Sequence, residues 1–281
     1  MKINLTTDAP KHNLALMKLS AMHKAQGDEV YLNMPLVMAD YTYASILYEK
    51  TLLPKADEYG GPRFPDACLP REVDQYRPDY SLYPNIKYSL GYTFRPCFRG
   101  CSFCKVKDFN HPDMLHHSIW EFHDIKFDTI CLLNNNTFFD PKWLDTFEEI
   151  WEAGLKVRDE NGYDLRLLDG QKAKALKKTK WSGQLHFAFD RMRDEKQIIN
   201  GLELLKEHRI SAHIYVLIGY DTTLDEDIYR CQILKDYGQT PYIMPYVADK
   251  QNKAFKRFID SFIWRKYQSI EQAWGNYHAS V

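Results

Sequence analysis

Ala212-His213-Ile214-Tyr215-Val216-Leu217-Ile218-Gly219 is the stretch whose reading decides the fold. Ala212 to Ile218 is an apolar, β-branched run that predicts a strand. Thr223 with Glu226 then forms a capping box for a helix that ends before Gly238, and Tyr242 to Tyr246 reads as a second strand. A strand, a helix and a strand in direct succession pair in parallel, because the crossover helix carries the chain back to the same edge.

The same alternation continues toward the N-terminus. Leu185 to Phe189 is a strand, and Asp194 to Glu207 is a helix with Ile198, Leu202 and Leu205 on one face. Tyr163 to Leu168 is expected as a strand before the Lys-rich helix Gln171 to Lys178. Asp128 to Leu133 is a strand, with Asp140-Pro141 as N-cap and first helical residue of a helix ending at Gly154. Ile86 to Tyr92 opens the series, which makes six strand-helix units up to residue 246. Before it, Lys2 to Thr6, Leu14 to Lys24, Glu29 to Asn33 and Tyr41 to Tyr48 read as a small open α/β unit, followed by a linker rich in proline and glycine. The expected domains are residues 1–80, 81–250 and a helical, aromatic-rich extension at 251–281 that plugs the larger domain.

Strand alternation separates two faces. His186, Ala188 and Asp190 point opposite Phe187 and Phe189; Asp164 and Arg166 point opposite Tyr163, Leu165 and Leu167; His213, Tyr215 and Gly219 point opposite Ile214, Val216 and Ile218. The apolar set packs on helices, so the polar set lines an interior chamber or satisfies itself in buried pairs such as Arg166 with Asp164 or Asp190. Strand ends carry Asn134, Asn135, Asn136, Asp190, Arg191, Gly219, Tyr220 and Met244, and parallel sheets hold their sites at those ends.

The strongest chemical signal is Cys97-Phe98-Arg99-Gly100-Cys101-Ser102-Phe103-Cys104, flanked by Arg95, Lys105 and Lys107. Three thiolates on one short loop can hold three irons of a [4Fe-4S] cube and leave the fourth iron open, because no fourth cysteine follows nearby. A structural Cys3His zinc site using His111 or His116 is the alternative. Cys68, Cys131 and Cys231 are scattered singly and are expected as reduced thiols.

This CxxxCxxC spacing, with an aromatic before the last cysteine, resembles the signature of the radical S-adenosylmethionine (SAM) superfamily, and the likeness in order of elements runs over residues 86 to 250. The resemblance implies a partial (β/α)6 TIM-like barrel preceded by the small open α/β domain. It implies an oxygen-sensitive enzyme in which Cys97, Cys101 and Cys104 hold the cluster, the open iron binds SAM, and reductive cleavage gives a 5'-deoxyadenosyl radical that takes hydrogen from a substrate. Phe103, Asn134, Asn135, Asn136, Arg166, Asp190, Arg191, Gly219, Tyr220 and Met244 fall where relatives contact the cofactor. Asn134 to Asn136 depart from the usual Gly-Gly-Glu-type segment, and Arg191 is the candidate partner of the SAM carboxylate. An electron donor such as flavodoxin or ferredoxin is implied as a partner.

The N-terminal unit resembles a shortened cobalamin-binding-type domain. Its Asp8 and His12 lack the Asp-x-His-x-x-Gly spacing, so cobalamin is unsupported. No second cysteine cluster of the methylthiotransferase or peptide-maturing kind is present. A formal net charge of -1 and the absence of a long apolar run lead us to expect a cytoplasmic protein without a membrane or nucleic-acid partner. The lysines at 172, 174, 177, 178 and 180 read as a solvated helix face. A small molecule, a nucleoside or a peptide remains open as substrate, and a degenerate SAM-binding scaffold or a zinc-stabilised binding protein as the alternatives to an enzyme.

Overall fold

The computed structural model describes residues 1–108 and 114–278. They form two compact units, Met1–Asn135 and Asn136–Val281. Both are α/β, and every strand pair described below is parallel. Among the described residues no helix is long and apolar enough to cross a membrane.

The first unit contains β1 (Lys2–Thr7), α1 (Leu14–Ala25), β2 (Glu29–Leu32), β3 (Tyr41–Ser45), β4 (Glu58–Gly60), the single turn α2 (Arg71–Asp74), β5 (Ser89–Gly91) and β6 (Thr129–Leu132). Its first sheet has the order β2-β1-β3-β4. The Asn13 side chain starts α1 by accepting from Leu16 N at 3.2 Å. Gly27, at φ +84, lets the chain turn out of that helix at no steric cost. Ile3 and Leu5 of β1 and Leu16 and Met17 of α1 share one core with Val73, Tyr80, Leu90 and Cys131, so this core extends well past residue 80. Burial of each such aliphatic side chain stabilises by about 1.5–3 kcal/mol.

Strand order reverses between β1 and β3, the place where open parallel sheets usually hold ligands. Here the chain fills it. Asp8 accepts from Leu47 N (2.7 Å), Tyr48 N (3.0 Å) and Thr51 Oγ1 (2.5 Å). Asn13 Nδ2 donates to Thr7 Oγ1 and to Ser45 Oγ. His12 Nδ1 lies 2.9 Å from Tyr88 Oη. Asp8 and His12 are thus both engaged by the unit itself.

The second unit contains α3 (Trp143–Glu152), β7 (Lys156–Asp159), α4 (Gly170–Lys178), β8 (Lys180–Trp181), β9 (His186–Ala188), α5 (Glu195–Glu207), β10 (His213–Ile218), α6 (Leu224–Asp236), β11 (Thr240–Pro245), α7 (Lys250–Asp260) and α8 (Ile270–His278). β7 pairs β8, and β9-β10-β11 form a three-stranded sheet. The capping box of α6 is present as expected, with Thr223 Oγ1 accepting from Glu226 N and Glu226 accepting from Thr223 N. Phe255, Phe258, Trp264, Ile270 and Trp274 join the core of β9, β10 and α5.

Three expectations are corrected. Residues 163–168 are not a strand: Leu165–Leu167 is a 3-10 turn, with the Asp164 carboxylate accepting from Arg166 N at 3.1 Å. That local bond gives the backbone an alternative to the ladder, and Tyr163 keeps one isolated bridge to Phe187. The strand lies earlier, at β7, and the two-residue β8 is additional. The helix expected at Asp140-Pro141 starts at Trp143, while Asp140 Oδ1 caps the preceding turn through Lys142 N. β4 lies inside the segment read as an irregular linker.

Candidate functional site

The cysteine loop follows β5 in the first unit. Cys97, Cys101 and Cys104 are each half-buried, and the structure joins none of them in a disulfide. Gly100 sits at φ +57, the left-handed turn that brings Cys101 round after Cys97. Cys104 N donates to Cys101 O at 3.0 Å, and Val106 N donates to Cys104 Sγ at 3.4 Å. Phe103 is half-buried within the same turn. Three sulfurs on a tight loop, one already receiving an amide, are a donor set suited to thiolate ligation. Among the described residues no three His, Cys, Asp or Glu side chains converge as ligands of one ion. His116 is half-buried, and His111 lies outside the described residues. A cube differs from one zinc ion in taking each thiolate at a separate iron.

The approach to the loop is fixed by the asparagines. Asn134 is 2% exposed; its Oδ1 accepts from Thr93 N (2.9 Å) and Phe94 N (3.1 Å), and its Nδ2 donates to Thr93 Oγ1 (2.8 Å). Asn135 Nδ2 donates to Arg95 O at 2.6 Å. These two side chains tie the end of β6 to residues 93–95, immediately before Cys97. Gly91 closes β5 against Phe122, whose ring would meet an added Cβ at 2.3 Å. The Arg95 guanidinium donates to Asp74 Oδ1 at 2.7 Å and lies over the Tyr92 ring. Lys105 pairs with Glu49 across to the β3–β4 connection.

In the second unit the expected two faces are present on β9, β10 and β11. Phe187, Phe189, Ile214, Val216, Ile218 and Ile243 are fully buried on one face. His186, Ala188, His213, Tyr215, Tyr242 and Met244 occupy the other, half-buried or exposed. The His186 and Tyr215 rings stack at 5.0 Å, and Tyr242 meets Tyr215 edge-on. His186 Nδ1 stands 3.4 Å from Asp159 Oδ2, an oxygen that already accepts from His186 N. Burial pushes the Tyr215 phenol up to about 12 and, with the neighbouring His186, holds His213 below the usual imidazole range. Asp190, just past β9, accepts from Leu217 N at 3.3 Å. Burial pushes its carboxyl up to about 6 against the opposing pull of Arg230.

The other predicted residues take varied places. Arg166 is committed to the Asp164 carboxylate through Nε (2.7 Å) and Nη2 (3.1 Å), and to Asp194 through Nη1 (2.6 Å). Asn136 Nδ2 donates to Asp164 Oδ2, while its buried Oδ1 has no hydrogen-bond partner among the described residues. Arg191 is 7% exposed. Gly219, at φ +70, lies so close to Asn252 that an added Cβ would meet Nδ2 at 2.3 Å. Tyr220 packs edge-on against Tyr246 at 4.8 Å, and Met244 is exposed. The lysine helix is engaged locally: Lys172 pairs with Asp169, Lys177 donates to Arg209 O, and Lys178 lies over Trp151.

Arg230 escaped the sequence reading. It is completely buried and donates to Phe189 O, Leu217 O and Thr222 Oγ1, with Asp227 as its ion-pair partner. It staples α6 to the ends of β9 and β10, where Asp190 and Gly219 stand. An arginine three residues after an aspartate on a helix reads from sequence as an ordinary surface pair.

No known family model matches this chain, and no curated protein matches it.

Proposed function

We propose that the protein is a radical SAM enzyme whose second unit contributes to a partial (β/α)6 barrel. The single observation that carries this reading is the loop of Cys97, Cys101 and Cys104, turned at Gly100 and anchored at its base by Asn134 and Asn135. Cys97, Cys101 and Cys104 would hold a [4Fe-4S] cluster, which when bound would supply the one-electron chemistry for reductive cleavage of SAM. The chain's own task is positioning. Asn134 and Asn135 fix the approach to Cys97 by bonding the backbone of residues 93–95. In this reading Asn136, Asp190, Arg191, Gly219, Tyr220 and Met244 are the second unit's candidate residues for binding cofactor or substrate, with Asn136 Oδ1 offering a buried acceptor. Arg166 is reassigned from binding cofactor to holding Asp164 in place, because both of its carboxylate partners belong to the chain.

The polar face of β9–β11 supports a chamber for a polar organic substrate, since aromatic, imidazole and carboxyl groups gather on it. The test is metal content and spectrum. Anaerobically purified or reconstituted protein should hold about four irons with matching sulfide per chain and give a reduced-cluster electron paramagnetic resonance signal. Cys97→Ala, Cys101→Ala and Cys104→Ala should each lose it. Stoichiometric zinc without iron or sulfide would replace this reading with that of a zinc-stabilised binding protein.

A further inference from the structure

A second charged cluster lies in the first unit, in a narrow cleft of about 50 Å³ bounded by α1, residues 74–76, the segment after β5 and residues 117–122. Lys18 Nζ and Arg95 Nη2 both donate to the same oxygen, Asp74 Oδ1, each at 2.7 Å. Lys18 also donates to Asp74 O. Two cations thus converge on one carboxylate. Lys18 is the more enclosed, with 13% of its side chain exposed. The other acid at the rim, Glu121, is 58% exposed and is bonded to His117 Nδ1 and Ser118 N of its own segment.

Formally the two carboxylates of the cleft balance its two cations, but Glu121 is turned to solvent at the rim, so the enclosed part holds two cations against the one Asp74 carboxylate, an excess that a further anion joining it would relieve. Burial holds the Lys18 ammonium below its usual range, and the Arg95 charge adds to that effect against the opposing pull of Asp74 and, more weakly, Glu121. Asp74 is held below the usual carboxylate range by Lys18 and Arg95, against the effect of burial. Arg95 spends one of its five donors on Asp74, and its plane is held over the Tyr92 ring at 4.8 Å. Gln75, Tyr76 and Tyr92 bring further polar side chains to the wall, while Leu14 and Phe122 leave part of it apolar.

We propose that this cleft binds a small oxyanion-bearing molecule, a carboxylate or a phosphoryl compound, whose oxygens bridge Lys18 and Arg95. The apolar stretch of wall receives the body of the ligand. This site uses neither the cysteines nor the polar face of β9–β11, so it stands whether or not the protein cleaves SAM.

The test is a titration of the full-length protein, at constant ionic strength, with inorganic phosphate in one arm and succinate in the other. It is followed by amide chemical shifts in residues 74–76 and 92–95 and by calorimetry. Saturable binding in the phosphate arm alone identifies a phosphoryl ligand, in the succinate arm alone a carboxylate ligand, and in both a general oxyanion site. Lys18→Met keeps the side-chain length and leaves Asp74 paired with Arg95; it should weaken binding about tenfold. Asp74→Asn removes the internal competitor and should tighten it, while Lys174→Met on α4 should change nothing. Non-saturable shifts, or equal affinity in wild type and Lys18→Met with the fold intact by circular dichroism, would overturn the proposal.

Discussion

Replacing Asn134 by alanine distinguishes a residue that holds the cysteine loop from one that only touches a cofactor. The Asn134 side chain is 2% exposed, and the residues that it bonds, Thr93 and Phe94, are 0% and 2% exposed. Its removal strips the acceptor from two buried amides, at 2.9 and 3.1 Å, and the donor from Thr93 Oγ1. A buried amide left unpaired costs about 1–3 kcal/mol, so the two together should cost ~2–6 kcal/mol, less whatever the loop recovers by shifting. Asn134→Asp keeps the acceptor but buries a carboxylate, so it should restore only part of the loss near neutral pH and more of it at low pH, where the neutral carboxyl both accepts from the two amides and donates to Thr93 Oγ1. Amide hydrogen exchange of the protein without added cofactor is the local assay, with urea unfolding as the global one. A 3 kcal/mol loss corresponds to roughly a hundredfold faster exchange at Thr93 and Phe94 where their opening reports that interaction. Unchanged exchange and a stability within ~0.5 kcal/mol of wild type would refute the positioning role.

Other changes probe separate parts of the argument. Gly219→Ala should destabilise the second unit by about 2–4 kcal/mol in denaturant unfolding, because it adds left-handed strain to a clash with Asn252. Arg230→Met should cost about 3–5 kcal/mol by leaving Asp227 buried and unpaired, and the double change Arg230→Met with Asp227→Asn should recover part of that in the same assay. Asp190 has its pKa raised from 3.8 to about 6 in the folded protein, so its contribution to stability is fully present below the unfolded value and is lost as pH rises through about 6. Asp190→Asn should therefore be more stable than wild type at pH 7 and converge with it near pH 4, as read by thermal unfolding across pH.

Much of this architecture was legible in the sequence where pattern and cap agreed. Ala212 to Ile218 alternates cleanly, and Thr223 with Glu226 marks its helix, so β10 and α6 lie almost where expected. The strand at β7 was not legible, because Lys156-Val157-Arg158-Asp159 has one apolar residue and no alternation to read. The apolar spacing of Tyr163, Leu165 and Leu167 imitated a strand, and the Asp164 side-chain bond that bends it is a local competition that periodicity does not register. Site residues divide in the same way. The cysteines announce themselves by spacing, whereas Asn134 and Arg230 owe their roles to partners some 40 residues distant, Thr93 and Phe189. The convergence of Lys18 with Arg95 on Asp74 likewise joins three remote segments.

The most direct test of the account is SAM cleavage by the reconstituted, chemically reduced protein under anaerobic conditions, with 5'-deoxyadenosine and methionine measured by mass spectrometry. The account predicts both products from wild type and none above background from Cys101→Ala. Wild-type protein with a full iron and sulfide complement that forms no more 5'-deoxyadenosine than Cys101→Ala would contradict it, and would leave a cluster-bearing scaffold in place of an enzyme.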